Sequence, residues 1–183
     1  MLENVKRNMR RAGRRLAHSG QALEQLFLSA LAEIYSAEKL FEKAIPKMIR
    51  ATTTEELQLA FDEQAVVTHR QIGKIEKVLN LFDRNVRARR CEAMEGLVKE
   101  IEQVIDETRD GSKTRDVGII MTARKVEHYE IASYASLVRL ARTMGRDDIA
   151  AILADILHEA READFILTGI GENNINAEAD LEV

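Results

Sequence analysis

The stretch KVEHYEIASY, residues 125–134, sets Glu127 and Glu130 three residues apart on the stripe of Ala123, Val126, Tyr134 and Leu137. Three residues is close to one helical turn, so both carboxylates point where that apolar stripe points. Two further acids stand in the same relation to their surroundings. Glu38 falls on the face of Ile34, Ala37, Phe41 and Ile45, and Glu159 on that of Ile152, Leu153, Ile156 and Ala160. A carboxylate inside a bundle is costly unless a cation or hydrogen-bond donor compensates it, and converging carboxylates repel one another. A shared cation answers both costs. Acids drawn from several helices at mid-length are how a bundle builds a di-iron or di-manganese site. No thiol lies near the stripe, which argues against zinc and iron–sulfur chemistry. Another reading stands beside this one: rotating the helix by some tens of degrees puts Glu127 or Glu130 on a solvated face, paired with Arg124 or Lys125.

The elements that must carry these residues are helices. One Pro, nine Gly and no Trp in 183 residues leave little of the turn chemistry a multi-stranded fold needs. The length suits one domain with a sizeable core. A first long helix is expected from about Ser19 to Arg50, with Leu23, Leu26, Phe27, Ala30, Ile34, Ala37, Phe41 and Ile45 inward. Pro46 should kink or end it near its last turn. Thr53 and Glu56 have capping-box spacing and open a second helix reaching about Phe82, whose inner face includes Leu57, Phe61, Gln64, Val67, Gln71, Ile75 and Val78. The centre of that face is polar but uncharged. After the basic connection DRNVRARR comes a shorter helix, CEAMEGLVKEIEQVIDE, with Met94, Leu97, Ile101 and Ile105 on its apolar side. A third long helix runs from about Lys113 to near Gly145, a C-terminal glycine, and a fourth is capped by Asp147 and reaches the Gly169/Gly171 region. The expected architecture is all-α: a four-helix bundle over residues 19–171 with an additional short helix. A basic helical extension precedes it over 1–18, and a loose acidic tail follows over 172–183.

The net charge of -4 hides an asymmetry, since Lys6, Arg7, Arg10, Arg11, Arg14 and Arg15 stand against Glu3 alone in the extension. With Leu2, Val5, Met9, Ala12 and Leu16 at helical spacing, this segment reads as a solvated terminal helix, a tether for nucleic acid or another anionic partner, or a docking arm. No run of about 18 apolar residues exists for a membrane span. The single Cys91 cannot form an internal disulfide, and the cytoplasm is the expected compartment. Cys91 is expected to serve packing. His128 and His158 fall on faces away from the acids, and His18 has no partner in view. Tyr134, one turn beyond Glu130, can hydrogen-bond a buried acid. Glycine-rich phosphate loops, nucleophilic triads and zinc-ligand spacings are missing from the sequence.

The segments LAEIYSAEKLFEKAIPKM, CEAMEGLVKEI and KVEHYEIASYASL resemble the signatures of the YciE/YciF-type bacterial ferritin-like proteins, and the likeness runs from about Leu26 to Asn176. That resemblance implies a ferritin-like bundle, usually dimeric and associated with bacterial stress responses, with no enzymatic activity established for the family in general. It also implies ligand roles for Glu38, Glu127, Glu130 and Glu159, which match the family's acids. The second helix departs from the pattern. Similar members carry HLEET, a His and a Glu three apart, where this chain has QAVVT, so Gln64 replaces the His and Val67 the Glu. Gln64 can offer one amide oxygen, while His69 lies about 140° away around the helix. Losing two donors from one wall weakens a two-metal site. Three outcomes are open: a single iron or manganese ion, a remodelled site, or an empty bundle held by hydrogen bonds among acids and Gln64.

Overall fold

The computed structural model describes residues 2–82 and 89–182, apart from the side chains of residues 2–19 and of residue 174. The cationic face expected at the N-terminus, His18 and most of the DRNVRARR connection therefore lie outside the described side chains. Helices α1 (Leu2–Ala51), α2 (Glu55–Asn80), α3 (Glu92–Glu107), α4 (Lys113–Thr143) and α5 (Asp147–Ile170) are followed by a π-turn (Gly171–Ile175) and the short α6 (Asn176–Asp180). Among the described residues there is no strand.

The four long helices α1, α2, α4 and α5 bury one apolar face each. Phe27, Leu31, Ile34, Phe41, Leu57, Phe61 and Ile75 are almost wholly removed from solvent, each contributing on the order of 1.5–3 kcal/mol of transfer free energy. Leu26, expected inward, is 58% exposed, and Leu28 takes the neighbouring core position instead. At this end the buried face is turned away from Leu26 toward Leu28, Leu31 and Ala32. Pro46 does not end α1, which continues to Ala51 with Ile45 and Met48 anchored in the core on either side of it.

Helix starts differ from the expected local caps. At α2 the cap residue is Thr54, not Thr53, and its side chain makes no cap bond within the helix. Asp116 of α4 supplies that function instead, its Oδ1 accepting from the Thr53 amide and its Oδ2 from the Thr54 amide, both at 2.8 Å. Ser112 caps α4 by accepting from the Arg115 amide, and Cys91 caps α3 through its sulfur. Arg146, rather than Asp147, is the cap position of α5, which leaves Asp147 and Asp148 in the first turn where the positive helix end favours acids. Gly145 fills the left-handed position after α4 at φ 72°, as its sequence position suggested.

The bond from Asp116 to the start of α2 also sets the topology. It joins the beginnings of α2 and α4, so these two helices run parallel, with α1 and α5 antiparallel to them across short turns. The chain between α2 and α4 must travel the length of the bundle, and α3 does so while packed against α1 and α4. A side chain at Gly118 would meet Val104 Cγ1 at 2.5 Å, so its absence lets α3 lie close on α4. One long crossover of this kind is the ferritin-like connectivity.

The acidic tail is not loose through residue 182. Ile175 is buried, and Glu182 accepts from the amides of Lys113 and Thr114 at 2.6 and 3.0 Å, holding the tail against the first turn of α4.

Candidate metal centre

Helical spacing brings three acids fully inside: Glu38 from α1, and Glu127 and Glu130 from successive turns of α4, none with any exposed surface. The α2 wall presents Gln64, Thr68 and Gln71 at intervals of four and three residues, all buried. Gln64 Nε2 donates to Thr68 Oγ1 at 3.4 Å, a long bond. Tyr134 also lies wholly inside, and its hydroxyl donates to Glu38 Oε1 at 2.5 Å.

Beyond that bond the acids lack donors. Among the described residues, Glu38 Oε2, both oxygens of Glu127 and both of Glu130 have no hydrogen-bond partner, and Gln71 Oε1 shares that condition. Buried polar atoms are otherwise almost always satisfied, so each of these orphans calls for a compensating proton, water or ion. The electrostatics agree. Burial lifts the Glu38 carboxyl to about 8, with Tyr134 pulling it down and Glu159 and Glu42 pushing it up. Glu127 is raised well above the usual carboxylate range by burial, then by Glu38 and Asp164. Glu130 is raised by burial, then by Glu38 and Glu127. Each acid in this core disfavours the charge of another.

Glu159 takes a different position. It is 17% exposed at the seam of α2 and α5, where Arg70 and Lys74 each donate to its Oε1 at 2.9 Å. Its Oε2 accepts from Gln71 Nε2 at 3.3 Å. Two cations from α2 thus hold the fourth expected acid at the rim of the cluster. The Gln64, Thr68 and Gln71 row is a regular four-and-three repeat in the sequence, a signal that would have drawn in Thr68. The Arg70 and Lys74 clamp has no such signal.

Other candidates fall where expected. His128 and His158 are exposed, near Asp164 and Glu162 respectively. His69 points outward to Glu42. Cys91 is buried, with its sulfur 3.1 Å from the Tyr129 hydroxyl. Among the described residues, no three His, Cys, Asp or Glu side chains stand in a closed ligand arrangement.

Residues 22–180 match the family described as Domain of unknown function (DUF892), a span that contains every buried acid. The chain belongs to the DUF892 family. This DUF892 chain is 40% identical over 162 residues to protein YciF of Escherichia coli K12, covering 87% of this chain and 96% of that protein. The crystal structure of the E. coli stress protein YciF superposes with a TM-score of 0.80 at 39% identity, over 84% of this chain and 97% of that one. YcfI from Rhodopseudomonas palustris, provisionally described as structural, gives 0.77 at 34% identity over 80% and 92%. A Xanthomonas campestris protein shares the fold, with a TM-score of 0.65 at 23% identity over 87% of this chain and 97% of that one. The YciE/YciF-type kinship and the all-α bundle read from the sequence both hold for this DUF892 member.

Proposed function

We propose that this DUF892 protein is a stress-associated bundle whose carboxylate centre is reduced to one hard divalent cation, manganese or iron(II), and that it works as a cytoplasmic homodimer. Five carboxylate oxygens with no partner in the core carry the metal reading. They offer an all-oxygen donor set of the kind manganese and other hard cations accept. Glu38, Glu127 and Glu130 would hold the ion, with Glu159 and Gln64 as further oxygen donors. When bound, the cation supplies counter-charge and Lewis acidity. Tyr134 orients Glu38 through its hydroxyl, and Arg70 and Lys74 hold the Glu159 side chain at the rim. Because the side chains do not stand in a closed ligand arrangement, binding requires Glu159 to leave its clamp and the acids to turn toward the ion. A second metal does not fit, since Gln64 and Val67 stand where a His and an acid are expected. The stress association rests on the likeness to YciF, and the dimer on the family resemblance.

A second reading has its own support. The Gln64 and Val67 replacements and the clamped Glu159 also suit a non-catalytic scaffold in which the buried acids stay protonated, in keeping with the provisional description of YcfI. Elemental analysis of protein purified after growth with iron and manganese separates the two. About one ion per chain, lost in Glu127→Gln/Glu130→Gln, supports the cation centre. An absence of metal in the unaltered protein leaves the scaffold.

A further inference from the structure

Glu38, Glu127 and Glu130 have no exposed surface, so an ion can reach them only through a seam between helices. Between α2 and α5 lies a cavity of about 140 Å³ with Gln64, Val67, Ala163 and Glu159 in its wall. Arg70 and Glu162 line it too. Glu159 connects this cavity to the interior: it lines the space, and its Oε2 accepts from Nε2 of Gln71, a wholly buried residue whose side-chain oxygen has no partner among the described residues.

We propose that this cavity is the port by which a divalent cation passes to the buried acids, with Glu159 as the group that carries it inward and Arg70 and Lys74 as the bar across it. The inference rests on the cation centre proposed above. Val67 and Ala163 line the cavity from α2 and α5 with small side chains, alongside Glu63, Glu159 and Glu162, whose charge suits a cation. Val67 matters doubly, because an acid there would retain the ion at the rim, whereas a valine lets it move on to Glu38, Glu127 and Glu130. Arg70 and Lys74 neutralise Glu159 at rest and repel an incoming cation. The ion must displace them to gain the carboxylate, so their removal quickens passage.

Mixing metal-free protein with Mn²⁺ and following loss of the free-ion EPR signal tests this. Ala163→Phe plugs the passage from α5, and Val67→Phe plugs it from α2 should the first variant fail to fold. Either should slow uptake by about tenfold or more while the final stoichiometry stays that of the unaltered protein. Arg70→Gln should accelerate uptake severalfold to about tenfold, because a like charge is removed from a narrow mouth. Unchanged rates in a folded plugged variant, with normal final binding, overturn the port and leave the cation centre standing. No Mn²⁺ uptake by the unaltered protein overturns the centre and the port together.

Discussion

The Tyr134 hydroxyl of α4 donates to Glu38 Oε1 of α1 at 2.5 Å, joining two helices at a point that solvent does not reach. Tyr134→Phe leaves the ring in place and removes the hydroxyl that donates to Glu38. We expect a loss of about 1–3 kcal/mol in stability at neutral pH. The Glu38 carboxyl should also titrate higher, because this bond is the influence that lowers it. Urea unfolding and carboxyl NMR titration of the variant measure the two effects.

Stability of the metal-free protein should fall as pH rises. In the unfolded chain Glu38 gives up its proton near 4.5, and in the folded one near 8. Between those values the folded state holds the extra proton, so each pH unit costs about 1.4 kcal/mol. The contribution is complete below 4.5 and is lost as pH passes through about 8. Glu127 and Glu130 act in the same direction. Urea midpoints of chelator-treated protein between about pH 5 and 9 read the slope, which Glu38→Gln should flatten. A slope of opposite sign would contradict the buried acids.

Asp116→Ala should be among the most damaging single changes outside the acid cluster. It removes an acceptor from two backbone amides and the Thr54 hydroxyl in a fully buried position. Orphaning those donors costs on the order of 2–4 kcal/mol. Thermal unfolding gives the loss, and hydrogen exchange should place the added opening in the first turn of α2.

Gln64→His/Val67→Glu restores the pair that the second helix lacks against its family pattern. The double variant should take up about two divalent ions per chain where the unaltered protein takes about one. Titration followed by elemental analysis counts them. If the double variant binds no more than the unaltered chain, those positions are not what limits the site.

The four long helices, the short α3 and the inward aim of Glu38, Glu127 and Glu130 were legible because all follow from a period of 3.6 residues, whereas the continuity of α1 from Leu2 and the helical tail were not. Glu159 was only half legible. Its spacing placed it inward, but its hydrogen bonds reach Arg70 and Lys74 across a seam, and no local pattern encodes a choice between two sets of partners. The place where α2 begins was read correctly, but its capping partners were not: Thr53 and Glu56 had local capping spacing, yet a buried carboxylate from more than sixty residues away took the amides of Thr53 and Thr54. The tail read as loose from its glycines and acids. Burial of Ile175 and the bonds of Glu182 to α4 outweigh that composition.

The parallel run of α2 and α4 divides the acid cluster between two hairpins, with Glu38, Gln64 and Gln71 on α1 and α2, and Glu127, Glu130 and Glu159 on α4 and α5. Each hairpin is local in sequence, whereas joining them closes the long crossover and should therefore be the slower step. Glu38 meets the repulsion of Glu127 and Glu130 only at that joining. Protons or a divalent ion therefore act on the final docking rate, and refolding in their absence should stall with both hairpins formed and the waist of the molecule still apart.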